Sequence, residues 1–393
     1  MTGRAPLGGL VRGIAWPRGA SVPVGTPLQP SVVYAAAGPD ALDRIYEGGE
    51  SGYSYAREGH PNADVVAEKI ARLEGVEGGL CVGSGMAAVT AATMGVLRAG
   101  DHVLGATQLY GRSLRLLDQD LPRLGVETSR ADASDADTFA AAMRPNTRMI
   151  LVEAVSNPML RVADLAAIRK IADRHDALIA FDNTFTTPAC LRGSDIGADI
   201  VIHSVTKLLA GHSDVTLGWV AAHDPEVQTA IRDFATTTGL TASPFDCWLA
   251  ERGLQSFELR FARAQENAAA LADALAGQGA VARVLYPGRA DHPDHARAAA
   301  LLGANFGTMV TFDLTGGRAA VERLVAAAPQ FPFAPTLGDV ATTLSHPASS
   351  SHRALTAAAR AALGITEGTV RVSLGIERPE EVVNGFAAAL HGL

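Results

Sequence analysis

The chain has 393 residues, 48% of them hydrophobic, and a formal net charge of -8. That length and apolar content can bury a large core and favour two or three domains over one, while an acidic balance without any long basic cluster argues against nucleic acid or an anionic membrane surface as partner and for a small substrate. Cys81, Cys190 and Cys247 are too few and too scattered for a disulfide framework or a zinc site, the start MTGRAPLGGLVRG lacks a signal peptide's apolar core, and no apolar run is long enough to span a bilayer, so a cytoplasmic protein is expected.

Residues 1–62 are rich in Gly and Pro and show little periodicity before GYSYAREGHPN, the pattern of an arm that packs on something other than its own domain. An amphipathic helix is predicted from Ala63 to Glu74, then a short apolar segment, Gly79 to Val82. Gly83, Ser84, Gly85 and Met86 open the Ala-rich pattern MAAVTAATMGVLRAG. A glycine turn at a helix start presents free backbone N–H groups and the positive end of the dipole, a seat for phosphate. DHVLGATQLYGRSLRLL supplies a strand and a loop with Tyr110, and TRMILVEAVSNP places Glu153 and Asn157 after another apolar strand.

Ala177 to Phe181 (ALIAF) reads as a buried strand with Asp182 at its end, and ADIVIHSV, from Ala198, as a second one with Thr206 and Lys207 at its exit. Strand, helix, strand alternation gathers these groups along one edge of a single sheet, where ligands bind in open α/β folds. The other lysines, Lys69 and Lys170, fall on the polar faces of helical patterns. Lys207 differs: in a chain that otherwise uses arginine for positive charge, a lysine at a buried edge points to a need for an amine that can lose its proton. Such an amine can form a Schiff base with an aldehyde such as pyridoxal phosphate, and Asp182 could hold a proton on that cofactor's pyridine nitrogen.

A long helical region from DFATTTGLTASPF onward leads to a smaller C-terminal domain, giving expected divisions of 1–62, 63–245 and 246–393, the last including a linker helix. DHPDH, Asp291 to His295, reads as a surface loop, and no metal site is expected there.

The motifs YSYAREGHPN, SGMAAVTA, QLYGRS, VEAVSNP, FDNTFTTP, HSVTKLLAGHSD, LGDVATTLSHPAS and RVSLGIE occur in that order over nearly the whole chain, which resembles the Cys/Met metabolism family of pyridoxal phosphate enzymes. The resemblance implies an α/β fold of the pyridoxal-phosphate-dependent transferase fold type I. Its mostly parallel central sheet is flanked by helices, with an N-terminal arm and a smaller C-terminal α+β domain. It implies that Lys207 carries the cofactor and that Asp182 faces its ring nitrogen. Tyr110 would stack on the ring and assist proton movement, and Asn157 would meet the phenolic oxygen. The phosphate would be held by Ser84, Gly85, Met86, Ser204 and Thr206, with Tyr55 and Arg57 reaching across from a neighbouring subunit, since an arginine fork engages phosphate oxygens in two directions. On the substrate side, Arg371 would grip the α-carboxylate, beside Asn157 and Thr336, with Arg115 for a distal carboxylate.

The activity implied is γ-elimination on a sulfur-containing amino acid such as cystathionine or methionine, in a homo-oligomer, a dimer of dimers. The alternative is γ-replacement by an O-acylhomoserine sulfhydrylase or cystathionine γ-synthase. Pro335 stands where cystathionine enzymes commonly carry glutamate, and Arg112 where methionine γ-lyases usually place cysteine, whereas Arg115 favours a cystathionine lyase. A non-catalytic scaffold with this fold would have lost the lysine, the aspartate or the carboxylate arginine, and this chain has all three.

Overall fold

In the computed structural model, which describes residues 20–353 and 355–391, seven strands form the larger sheet: β1 (Leu80–Val82), β2 (His102–Ala106), β3 (Glu127–Ala131), β4 (Thr147–Val152), β5 (Leu178–Asp182), β6 (Ile200–Ser204) and β7 (Gly218–Ala222). Their spatial order is β1-β7-β6-β5-β4-β2-β3. β3, β2, β4, β5 and β6 are mutually parallel, and β7 runs antiparallel to both β6 and β1. Helices cover both faces of such a sheet, which is why its central strands read as continuous apolar runs rather than alternating ones. Met149 to Val152, Ile179 to Phe181 and Ile200 to Ile202 are all buried. The three strands expected to carry Asn157, Asp182 and Lys207 are neighbours and end on the same edge.

A second sheet, β8 (Val281–Leu285), β9 (Met309–Leu314), β10 (Thr343–Ser345) and β11 (Thr369–Ser373), is antiparallel in the order β10-β11-β9-β8. Its own core includes Phe312, Phe331 and Phe386, the last two stacked at 4.9 Å between ring centroids. The helix Pro244–Leu254 stays with the first core, where Cys247 and Ala250 are buried. The next helix, Phe257–Ala276, buries Phe257 and Phe261 in the first core and Ala264, Ala268, Leu271 and Leu275 in the second. The changeover between cores therefore lies inside this helix, beyond residue 246.

Of the arm, the described part folds back at Val33 and Tyr55 and is tied down where Trp248 Nε1 donates to the Thr26 carbonyl. Its helix Pro39–Tyr46 buries no residue, and Val22, Val24, Val33 and Tyr46 are largely exposed. Among the described residues no helix is long and apolar enough to cross a membrane. DHPDH departs from the surface loop expected of it: His292 and Asp294 are buried, and Asp294 binds Arg161 at 2.6 Å and the Val162 N–H at 3.1 Å. Its prolines and aspartates resemble a turn, but the second carboxylate is drawn inward by a cation from the large domain.

Candidate active site

After β6 the chain makes one tight helical turn. Lys207 N–H donates to the Ser204 carbonyl (3.1 Å), Ala210 N–H to Val205 (2.9 Å) and Gly211 N–H to Lys207 (2.8 Å). This fixes the backbone that carries the amine at the sheet edge. Burial first, and the positive charge of Arg371 second, push the Lys207 pKa below the ordinary lysine value, so the neutral amine, the form that bonds an aldehyde or takes a proton, is reached more easily than in an exposed lysine. The other two lysines are placed differently. Lys170 is exposed, and Lys69 is held at 2.6 Å by the buried carboxylate of Glu251.

Asp182 is the last residue of β5, and Thr184 N–H donates to its Oδ1 at 3.0 Å. Thr184 Oγ1 in turn accepts from Ser204 N–H at 2.7 Å, tying the β5 exit to the β6 exit. Burial raises the Asp182 pKa, opposed by the Thr184 bonds and by His203. Glu153, just past β4, is pushed well above the usual carboxylate range, by burial and then by the charge of Asp182. Two carboxyls this close do not both ionise readily. Glu153 also accepts from Tyr110 N–H at 2.8 Å, which anchors the backbone under that ring. Among the described residues neither carboxylate has an arginine or lysine partner, so Asp182 is a half-buried acid that a protonated ring nitrogen would complete.

The helix Gly85–Met94 starts against the end of β6. Ser84 caps it, its hydroxyl accepting from Ala87 N–H at 3.1 Å, which leaves the Gly85 and Met86 N–H groups without intrahelical partners. A Cβ on Gly85 would lie 2.5 Å from Ser204 Cβ, so only glycine lets the helix end and the strand end meet. Ser204 thus stands beside free N–H donors, a fit for a phosphate group. Thr206 also lies at this corner, but its hydroxyl is already engaged with Leu217, accepting from its N–H at 2.9 Å and donating to its carbonyl at 3.2 Å.

Arg371, on β11, is buried and reaches from the second sheet to the first. Its Nη1 donates to Asn157 Oδ1 at 2.9 Å and its Nη2 to the Thr336 carbonyl, while Nε has no partner. Burial pushes its pKa down to about 10, with Tyr110 near enough to oppose the push, so it remains charged at neutral pH. A buried guanidinium whose Nε–H has no partner among the described residues fits a carboxylate ligand. The contacts thus gather Lys207, Asp182, Ser84, Gly85, Met86, Ser204, Thr206, Tyr110, Asn157, Thr336 and Arg371 at one edge. Arg115 is exposed, one turn beyond Tyr110, with no ion pair among the described residues. Tyr55 and Arg57 make other contacts: Arg57 stands over the Tyr55 ring at 5.7 Å and donates to the Thr236 carbonyl at 3.2 Å, and both are exposed.

Behind Asp182 lies a buried network not anticipated from the sequence. The fully buried Glu74 accepts from His203 Nε2 (2.5 Å), Asn183 Nδ2 (2.7 Å) and Gly193 N–H (2.6 Å). Glu74 closes a helix and His203 sits inside a strand, so neither carries a local signal. A histidine in the otherwise apolar run IVIHSV is the one available hint.

The fold is that of the pyridoxal-phosphate-dependent transferases of fold type I. Residues 18–391 match the model of the Cys/Met metabolism PLP-dependent enzymes, and the chain belongs to that family. It is 38% identical to cystathionine beta-lyase MetC of Bacillus subtilis (strain 168), covering 86% of each chain. It is 37% identical to L-methionine gamma-lyase of Pseudomonas putida, covering 92% of this chain and 89% of that one. Among solved structures, cystathionine gamma synthase from Xanthomonas oryzae pv. oryzae superposes with a TM-score of 0.88 at 38% identity, over 93% of this chain and 92% of that one. The protein is a pyridoxal-phosphate-dependent enzyme of sulfur amino-acid metabolism.

Proposed function

We propose that the chain catalyses γ-elimination on a sulfur-containing amino acid such as cystathionine or methionine, which with one water gives a thiol, a 2-oxo acid and ammonia. The bound cofactor supplies the electron sink. Arg371 holds the α-carboxylate and so aims the Cα–H bond at Lys207, whose neutral amine takes that proton and returns it further along the side chain. Asp182 keeps the ring nitrogen protonated. Tyr110 gives a proton to the departing sulfur.

The observation that carries this reading is the Arg371 guanidinium, buried, charged and with no partner for its Nε among the described residues, within electrostatic reach of the Lys207 amine. Arg115, exposed and without an ion pair among the described residues, favours a substrate with a distal carboxylate. The second reading, γ-replacement, uses the same groups and differs only in whether water releases the remaining four-carbon unit as a 2-oxo acid and ammonia or a thiol adds to its γ-carbon to give a new thioether. Incubation with cystathionine, methionine and O-acetylhomoserine, with and without sulfide, separates them. A 2-oxo acid without added thiol supports elimination, and product only with thiol supports replacement.

We further propose that the site is shared between subunits of a dimer, two of which make a tetramer, with Tyr55 and Arg57 binding the neighbour's cofactor phosphate. The exposed apolar side chains of the arm support this, because Val22, Val24 and Val33 would otherwise stay in water. The free thiols of Cys81, Cys190 and Cys247 fit the reducing cytoplasm. Mixing Arg57→Ala with Lys207→Ala protein tests the sharing: partial recovery of activity supports it, and two inactive parents that stay inactive after subunit exchange refute it.

A further inference from the structure

The helix Phe257–Ala276 grips both halves of the site. Near its start, Arg260 is buried and has no carboxylate in contact among the described residues; instead its Nη1 donates to the Leu208 carbonyl (2.9 Å), its Nη2 to those of Leu209 (2.9 Å) and Gly253 (2.9 Å), and its Nε to Ser256 Oγ (3.1 Å). Leu208 and Leu209 follow Lys207 directly. Their carbonyls are the loose end of a single helical turn, which a cation satisfies well. The fit is close, since a Cβ on Gly211 would lie 1.8 Å from Arg260 Nη1.

Two turns further along the same face, the fully buried Asn267 donates through Nδ2 to the carbonyls of Gly375 (2.9 Å) and Glu377 (2.9 Å). That segment leaves the end of β11, the strand of Arg371. It is stiffened in turn by the loop around Gly338, whose N–H donates to Ser373 Oγ at 2.9 Å and where a Cβ would lie 2.5 Å from Leu208 N. Arg260 and Asn267 are seven residues apart, about 10 Å along a rigid helix.

We propose that this helix is a strut setting the separation of the Lys207 amine from the Arg371 guanidinium, with Arg260 and Asn267 as positioning residues at its two grips. The inference rests on the proposed reaction, in which these two groups hold the opposite ends of one substrate Cα. A misplacement of either by a fraction of its reach disturbs the Cα–H alignment without removing any reacting group.

The test uses Arg260→Lys, which keeps the charge but not the planar fork, and Asn267→Ala, read in two ways on the full-length protein. In amide hydrogen exchange, a strut predicts that each variant speeds exchange at both grips, residues 205–211 and 374–378, while β2 and β4 keep their protection. Exchange raised only at the altered grip overturns the proposal, and this readout does not depend on any reaction. In steady-state kinetics with cystathionine or methionine, Asn267→Ala should raise KM between about tenfold and a hundredfold with cofactor absorbance unchanged. The double variant should lose less than the product of the single losses, because either change alone frees the distance. Multiplying losses, or activity that falls only in step with Tm at unchanged KM, refute the strut. A wild type that loads the cofactor but turns over no sulfur amino acid refutes the proposed function instead, and the exchange result then decides the strut by itself.

Discussion

Arg371 and Asn157 meet across the two sheets, Nη1 to Oδ1 at 2.9 Å, and this contact leaves the arginine's Nε buried and unpaired. The pair brings a C-terminal strand to the edge of the large sheet and holds one cationic N–H ready for an anion. Arg371→Lys should raise KM for the amino acid between about tenfold and a hundredfold, the worth of a charge-assisted hydrogen bond. An unreactive amino acid at a hundred times its Kd should stabilise the wild type by about 2.7 kcal/mol. Thermal unfolding of the two proteins with and without that ligand checks this, and at the same ligand concentration the lysine variant should gain only between about 0.4 and about 1.4 kcal/mol.

The two neighbouring carboxyls should answer differently to removal of charge. Glu153 is pushed well above the usual range by burial and by Asp182, so Glu153→Gln removes a charge that the site already disfavours and keeps an oxygen that can still accept from Tyr110 N–H. Its kcat/KM should stay within about threefold of wild type, about 0.7 kcal/mol. Asp182→Asn removes the charge proposed to face the ring nitrogen and should cost at least about a hundredfold in kcat. Steady-state rates of the two variants decide the assignment, and a reversed order would exchange the roles.

The lowered Lys207 pKa carries a pH signature. The unfolded chain binds this proton below the ordinary value of 10.5, while the folded chain releases it at lower pH. Between the two values the unfolded state holds more protons, so stability rises with pH through that window, with a slope of at most about 1.4 kcal/mol per pH unit from this group. Below the folded pKa the amine is charged in both states and the slope vanishes. Urea unfolding of cofactor-free protein from about pH 6 to about pH 10 should show this rise in the wild type and its loss in Lys207→Met.

Gly85→Ala places a methyl group 2.5 Å from Ser204 Cβ, and a clash with a neighbour so close to the backbone is not relieved by a rotamer change. The helix end must back away from the strand end, carrying the free Gly85 and Met86 N–H groups with it. Affinity for pyridoxal phosphate should fall between about tenfold and a hundredfold. A fluorescence titration of the cofactor-free variant measures this, and an unchanged Kd would move the phosphate seat elsewhere.

Much of the site was legible because parallel strands announce themselves. TRMILV, ALIAF and ADIVIHSV are apolar on both faces, so the polar residues at their exits, Glu153 with Asn157, Asp182, and Lys207, had to share an edge. What the sequence could not reveal are contacts closed by tertiary packing. The resemblance groups Arg371 with Asn157 and Thr336, but not the bonds of its fork to Asn157 Oδ1 and the Thr336 carbonyl, and Arg260 and Asn267 look like ordinary members of an amphipathic helix. The capture of Asp294 by Arg161 is hidden for the same reason, since DHPDH carries turn residues whose burial depends on a cation far away in the chain.

The central claim is that one amine, at Lys207, bonds the cofactor. After incubation with pyridoxal phosphate, borohydride reduction and peptide mass analysis should find the pyridoxyl phosphate mass on the peptide containing Lys207, and on none from Lys207→Ala protein. A label on Lys69 or Lys170 in place of Lys207, or no covalent label at all, would contradict it.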